Sequence, residues 1–397
     1  MKVAVVSEFY PRQGDPVLGV WAHRQALAAR EAGAEVRVLV LHRLVPPRAS
    51  LSHGAGGVAE AFANLAHEPH RQTRDGLQVA YVRYGSPPRS RAYPTWGAWA
   101  APALALALRR LRRSFEFELI HAHNVVPAGD AVRRARMGVP LVVSVHGGDV
   151  LYTAPRSERG RTTVERGLAG ADTVLANSKG IAELAERHGA RHTRVVHLGA
   201  DLPEPGSGGQ AGRRKPMPSL VTVGHLVSRK RHADVMRALA VLAKRHPTLR
   251  YVIVGDGPER VALEGLAARL EVAERVEFHG QLPHEQAIEV ARGCTLFAMP
   301  STEEAFGVAY IEAMAGGVPA IGCRGEPGPE EIAAAGDGFV LVPPGDIERL
   351  TQRIDELLSD SGRLREAGIR ARETVAANFT WERCGRQTVA VYEHALR

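Results

Sequence analysis

Two glutamates with seven residues between them, Glu304 and Glu312, sit in the segment PSTEEAFGVAYIEAMAGG (300–317). A strand pattern ends at Pro300 and Ser301 and a helical pattern runs from Phe306 to Ala315, so Glu304 falls in the loop at the helix mouth and Glu312 about two turns in. The amides of Phe306, Gly307 and Val308 then lie at a helix N-terminus, where unpaired N–H groups favour an anion such as a diphosphate. Carboxylates accept hydrogen bonds from hydroxyls, so the pair suits a polyol, a sugar or a ribose. A pair of glutamates taken alone usually marks a solvated helix face; the strand-end loop sets this one apart.

Three further groups lie just after strand patterns, where open α/β sheets present ligand-binding residues. Arg229 and Lys230 follow a strand in VGHLVSRKRH (223–232), and His146 follows PLVVSV and precedes Gly147, Gly148 and Asp149. Asp149 admits two readings, assistance to an acceptor hydroxyl or a helix cap. His121 and His123 alternate at a strand end in IHAHN, but a two-histidine metal site lacks a third ligand nearby. The glycines of VGDGP, Gly255 and Gly257, do not have the G-x-G-x-x-G spacing of a dinucleotide fingerprint.

The elements that must position these groups alternate as βα units. A short β-branched strand at 2–6, a helix from Val20 to Ala32 stopped by Gly33, and the strand AEVRVLVL open the chain. The rhythm continues through FELIHAHN, PLVVSVHG, TVLANS and TRVVHLG, breaks at GSGGQAGRRKPM (206–217), and restarts at SLVTVG, RYVIVG, RVEFHG and CTLFAMPS. Such alternation implies parallel sheets covered on both faces. The fold class expected is α/β, with two Rossmann-like doubly wound domains facing across a cleft: 1–205, a linker at 206–217, 218–377, and a C-terminal helix at 378–397.

The 397 residues suit two to three domains, and 45% apolar composition is ample for their cores. The formal charge of +8 is unevenly spread: residues 1–205 carry 27 Lys and Arg against 18 Asp and Glu, residues 218–397 carry 21 against 25. Much of the basic excess is arginine between Ser86 and Ser114, where Arg89, Arg91, Arg109, Arg110, Arg112 and Arg113 accompany Trp96, Trp99 and no acidic residue. That pattern suits either an interfacial helix at an anionic membrane or an amphipathic domain helix packed on the sheet. Nucleic acid is disfavoured, because no recognition module is present and aromatic content is only 5%. The scattered Cys294, Cys323 and Cys384 fit a reducing compartment, no apolar run reaches the ~20 residues of a membrane span, and the N-terminus reads as a strand rather than a signal segment. The expected location is cytoplasmic, with peripheral attachment to the inner face of the plasma membrane as an option.

With its Glu–seven residues–Glu spacing, EAFGVAYIEAMAGGVPAIG resembles the signature of retaining glycosyltransferases of family 4, which have the GT-B fold. VGHLVSRKRH, VGDGPER, FHGQLPHEQ, GEPGPEEI and LVPPGD follow in matching order, and SEFYPRQGDPVLGVW, IHAHN, HGGDV and ANS match in the first half. The resemblance implies that Glu304 contacts hydroxyls of the transferred sugar, that Glu312 binds the nucleotide ribose, and that Arg229 and Lys230 hold the donor pyrophosphate. It implies that His146 lines the sugar site, and it extends donor contact to Gly19 and Gly224. Gly14 brackets the same loop as Gly19. Many members carry arginine where this chain has His225, which leaves that phosphate contact to Arg229.

The activity implied is transfer of a sugar from a UDP- or GDP-sugar to a glycan, lipid-linked or small-molecule acceptor in cell-envelope polysaccharide synthesis. It would proceed by front-face attack with retention of configuration and without a metal or other cofactor, since two cations and helix-end amides can stabilise the departing diphosphate and no Asp-x-Asp pair follows a strand. Two other readings stand beside it, a nucleotide-sugar epimerase of the same fold and a catalytically inert binding subunit that partners another transferase. In the family the C-terminal segment from Asn378 forms a helix that crosses back to the first domain.

Overall fold

The computed structural model describes residues 1–12, 15–45, 56–57, 69–203 and 217–397. Gly14, linker residues 206–216 and the Arg91 side chain lie outside the described residues. The chain divides into two compact units, Met1–His197 with Trp381–Arg397, and Leu198–Thr380.

Eight strands build the first unit: β1 (Lys2–Ser7), β2 (Glu35–Arg43), β3 (Arg71–Arg74), β4 (Leu77–Tyr84), β5 (Leu119–His123), β6 (Leu141–Val145), β7 (Thr173–Ala176) and β8 (Thr193–Val195). They are ordered β3-β4-β2-β1-β5-β6-β7-β8, parallel throughout except for the β3–β4 hairpin. Val3 to Val6 have no exposed surface, as expected of a central strand covered on both faces. The sequence reading assigns nothing between Leu44 and Gly85, and β3 and β4 lie there. Their turn is Asp75-Gly76, both at positive φ, the conformation that two-residue hairpins favour.

Trp381–Ala395, the last helix, packs on the helix Val20–Glu31 of the first unit. Gly385 permits that approach, because a Cβ would collide with the Ala28 carbonyl. Gln25 Nε2 donates to Thr388 Oγ1 at 3.1 Å, and the Arg24 guanidinium lies 5.4 Å from the centre of the Trp381 ring.

The second unit holds β9 (Ser219–Val223), β10 (Arg250–Val254), β11 (Val276–Gly280), β12 (Leu296–Ala298), β13 (Ala320–Cys323) and β14 (Phe339–Val342). Their order, β11-β10-β9-β12-β13-β14, is fully parallel and is the dinucleotide-fold order with its reversal between β9 and β12. The segment Leu198–Pro203 belongs to this unit. Ala200 N donates to Phe379 O at 2.8 Å, and Arg372 Nη2 donates to Pro203 O at 2.7 Å.

Candidate active site

In the second unit the loops after β9 and β12 meet at the point where strand order reverses. Residues 228–230 form a single 3-10 turn, and Thr302 N donates to the Arg229 carbonyl at 2.8 Å, stitching one loop to the other. Lys230 Nζ then reaches Glu304 Oε2 at 2.6 Å. Ser301 Oγ donates to the same Oε2 at 2.9 Å and lies 3.0 Å from the Tyr310 hydroxyl, which donates to the Met299 carbonyl. Both contacts to the Glu304 carboxylate fall on Oε2, so Oε1 has no hydrogen-bond partner among the described residues. Burial alone would raise the Glu304 pKa, but Lys230, through charge and hydrogen bond, together with Arg229 and Ser301, outweighs it and holds the pKa below its ordinary value. A fixed anion beside a fixed cation is the result, with one carboxylate oxygen left for a ligand hydroxyl.

The helix after this loop is Val308–Ala315, two residues shorter at its start than the apolar pattern suggests. Gly307 is the reason: its φ is +90° and a Cβ there would overlap the Tyr310 ring. Phe306 is buried and packs edge-on against Phe379 at 5.7 Å between ring centres, so it anchors the loop in the core. The first helical amides are those of Val308 and Ala309. Glu312 therefore stands just over one turn into the helix, not two. It is buried, its Oε1 is 3.1 Å from His284 Nε2, and its carbonyl accepts from Arg292 Nε at 3.3 Å. Gly224 follows β9, with only ordinary contacts to Lys230 and Met299 awaiting a Cβ, and His225 beside it is exposed. Sequence reasoning passed over Ser301, Tyr310 and Glu326, whose Oε2 accepts from Glu304 N at 2.8 Å. The motif GEPGPEEI carried the last of these, but nothing in its spacing tells which backbone group it holds.

In the first unit the strand ends of β5 and β6 gather His121, His123, His146 and Asp149. His123 Nδ1 and His146 Nε2 are 3.0 Å apart, and Trp21 meets the His146 ring edge-on at 6.1 Å between centres. His121 is engaged at both nitrogens, by Tyr392 and Ser144, each at 2.7 Å, and that occupation removes it as a metal ligand. His123 Nε2 and His146 Nδ1 are buried without a hydrogen-bond partner among the described residues. Burial lowers the pKa of His146 to about 4 and that of His121 to about 3, and it places His123 well below its ordinary value. The cluster is neutral at pH 7.

Asp149 accepts from the amides of Val125 and Val126 at 2.8 and 3.0 Å. Of its two sequence readings the structure displays the capping one, though for the turn after β5 and not for its own helix. Gly19, at φ +66°, starts the helix Val20–Glu31 so close to Phe9 that a Cβ would fall on the Phe9 carbonyl, so its backbone freedom is used in packing the loop after β1.

The helix Trp96–Ser114 buries Trp96, Ala100, Ala101, Leu104, Ala105 and Leu108 within its unit. Its apolar stripe is thus a domain-packing face. Trp99 and Leu106 remain 53% and 48% exposed on the other side, in line with Arg110 and Arg113. Arg112 donates to the Met137 carbonyl at 2.9 Å. None of the described helices is long and apolar enough to cross a membrane.

Two α/β units with these sheet orders define the GT-B fold, and solved structures share it across nearly the whole chain. A sucrose-phosphate synthase from Thermosynechococcus elongatus superposes with a TM-score of 0.78 at 22% identity, over 99% of this chain and 98% of that one. HepE of Anabaena in complex with UDP and glucose gives 0.72 at 20% identity, over 99% and 100%. Residues 18–204 match the family described as Glycosyltransferase Family 4, and residues 209–374 match Glycosyl transferases group 1. A D-inositol 3-phosphate glycosyltransferase from Nocardia farcinica is 32% identical over 74% of this chain and 71% of its own length; a second, from Catenulispora acidiphila, is 30% identical over 93% and 98%. A GDP-mannose-dependent alpha-(1-6)-phosphatidylinositol monomannoside mannosyltransferase from Mycolicibacterium smegmatis is 28% identical over 74% and 81%. The chain belongs to glycosyltransferase family 4 and is a glycosyltransferase of the GT-B type.

Proposed function

We propose that the protein transfers a sugar from a UDP- or GDP-sugar to a glycan, lipid-linked or small-molecule acceptor, with retention of anomeric configuration and without a metal. The observation that carries this reading is the buried Lys230–Glu304 pair at the reversal of strand order in the second unit. In it, Lys230 and Arg229 take the diphosphate together with the amides at the start of the helix Val308–Ala315. Glu304 Oε1 accepts from a sugar hydroxyl, and Glu312 accepts from the ribose. As the glycosidic bond breaks, negative charge grows on the leaving phosphate oxygen, and fixed cations that need no reorganisation stabilise it best. His146 in the first unit, neutral because buried, orients the sugar or acceptor as a hydrogen-bonding group and not as an obligatory base. HepE, a fold neighbour, binds UDP and glucose, and the curated relatives include a GDP-mannose-dependent enzyme, which is why both donors are retained.

The acceptor side we assign to an anionic surface in cell-envelope synthesis, with the protein attached peripherally to the cytoplasmic face of the plasma membrane. Exposed Trp99 and Leu106, aligned with Arg110 and Arg113, support this. So does the adjoining groove of about 700 Å³ on the sheet face, lined by Arg37, Arg71, Arg83 and Arg110 beside Leu106 and Leu111. That groove is lined by none of the strand-end site residues described above.

The direct test is slow hydrolysis of UDP-glucose and of GDP-mannose by purified protein, with and without EDTA, in the wild type, Lys230→Ala and Glu304→Ala. The reading expects hydrolysis of one donor, unaffected by EDTA, with the α-anomer released first. Unchanged hydrolysis in folded Lys230→Ala and Glu304→Ala would remove the site assignment.

A further inference from the structure

Glu8 is the first residue beyond β1, beside β5, where the order of the first sheet reverses. Doubly wound sheets take ligands at such a point. Its Oε2 is 3.1 Å from the Tyr93 hydroxyl, and the same hydroxyl is 2.9 Å from the Val126 carbonyl oxygen. A phenol has one proton to donate. Were Glu8 a carboxylate, two acceptors would compete for that proton, and one would face only lone pairs. With Glu8 protonated, Glu8 donates to Tyr93, Tyr93 donates to Val126, and every group in the chain is satisfied.

The surroundings agree with that arrangement. Burial is the largest influence and raises the Glu8 pKa, and Asp149 raises it too; Arg89, a hydrogen bond taken with Tyr93 as donor, and Arg12 lower it, and even so the balance is about 7. Arg43 and Tyr84 also face it from β2 and β4. The Arg43 guanidinium is already committed, with Nε on Ser86 Oγ at 2.8 Å and Nη2 on the Ser86 and Pro87 carbonyls at 3.1 and 3.2 Å. The Asp149 carboxylate is committed to two amides. Glu8 itself stays partly exposed although protein surrounds it on most sides, and its Oε1 has no hydrogen-bond partner among the described residues. Exposed Arg89 lies over the rings of Tyr93 and Phe9, 4.3 and 5.5 Å from their centres, which holds a cation near Glu8.

We propose that Glu8, as a neutral acid donating into the Tyr93–Val126 chain, forms a polyol subsite in the first unit: Oε1 accepts from a hydroxyl of the acceptor, and Arg89 favours polyols that carry a phosphate. The proposal rests on the glycosyltransfer reading for its purpose, but its test reads the first unit alone. Protein carrying carboxyl-labelled glutamate is titrated by carbon NMR, with the Glu8 resonance assigned by its loss in Glu8→Gln. Sorbitol and sorbitol 6-phosphate are then added at about pH 6 and about pH 8.5, on either side of the Glu8 midpoint.

The expected results are a Glu8 midpoint near neutrality and tighter binding of the phosphate ester than of sorbitol. Binding should weaken at least ~10-fold in Glu8→Ala, a factor equivalent to ~1.4 kcal/mol. Glu8→Gln, which mimics the neutral acid, should bind the phosphate ester about as well as the wild type at the lower pH and keep its affinity at the higher pH, where the wild-type carboxylate repels the ester. Three outcomes overturn the proposal: a Glu8 carboxylate that persists down to about pH 5, no binding of either polyol, or equal binding by wild type and Glu8→Ala. UDP binding, followed in the same samples, reports separately on the donor reading, because Lys230 and Glu304 lie in the other unit.

Discussion

At the scale of single residues, the site is built from charges that burial would otherwise forbid. Lys230 and Glu304 have side chains only 12% and 10% exposed, and removing one partner leaves the other uncompensated. Lys230→Ala is expected to destabilise the second unit by about 3–5 kcal/mol in urea unfolding, with Glu304 drifting up in pKa; a loss below ~1 kcal/mol would mean that water reaches the carboxylate. The three clustered histidines give a prediction with a definite sign. A histidine whose pKa is depressed by folding contributes stability that is complete above about pH 6.5 and disappears as the pH falls, because the unfolded chain takes up the proton first. The stability difference between wild type and His123→Phe should therefore grow from about pH 4.5 to about pH 6.5, by up to ~1.4 kcal/mol per unit, and level off above. A flat or inverted profile from urea unfolding at stepped pH would show that His123 is protonated in the fold.

At the scale of elements, the glycines that matter are the ones whose missing Cβ another group occupies. Gly307 sets the start of the helix Val308–Ala315 and admits the Tyr310 ring that braces Ser301 and, through it, Glu304. Gly307→Ala is expected to cost about 1–3 kcal/mol from its backbone conformation alone, whereas Gly224→Ala, facing only ordinary contacts, should change thermal stability little. Equal melting shifts for the two would remove the argument. Element positions were largely legible in sequence, since β-branched runs and Gly stops are local signals: the helix that starts at Val20 and stops before Gly33 is found at Val20–Glu31. The β3–β4 hairpin was passed over although Asp75-Gly76 announces it. Its strands, RQTR and LQVAYVRY, are short or interrupted by polar residues and follow a long stretch without periodicity.

At the scale of the whole molecule, the charge of +8 resolves into a basic first half with a partly exposed cationic helix. Sedimentation with anionic vesicles at low and high salt checks the surface proposal. Binding should be present at low salt, fall steeply with salt because surface attractions are screened, and weaken when Arg109, Arg110 and Arg113 are changed to glutamine. Of these arginines and Arg112, the last is the least informative to change, because its guanidinium also holds the Met137 carbonyl. No sedimentation at low salt would return the arginine excess to composition.

Alone, the sequence determined the fold class, the family and the strand-end loops that carry Lys230, Glu304 and His146, because parallel βα units and their turns are written in local periodicity and spacing. Pairing was beyond it. That Lys230 grips Glu304, that Asp149 caps the turn after β5, that the last helix supplies Tyr392 to His121, and that Tyr93 stands between Glu8 and Val126 are contacts between residues 23 to 271 positions apart. Spacing along a chain specifies which face of an element a side chain occupies, and only the packing of the sheets decides which of those side chains meet.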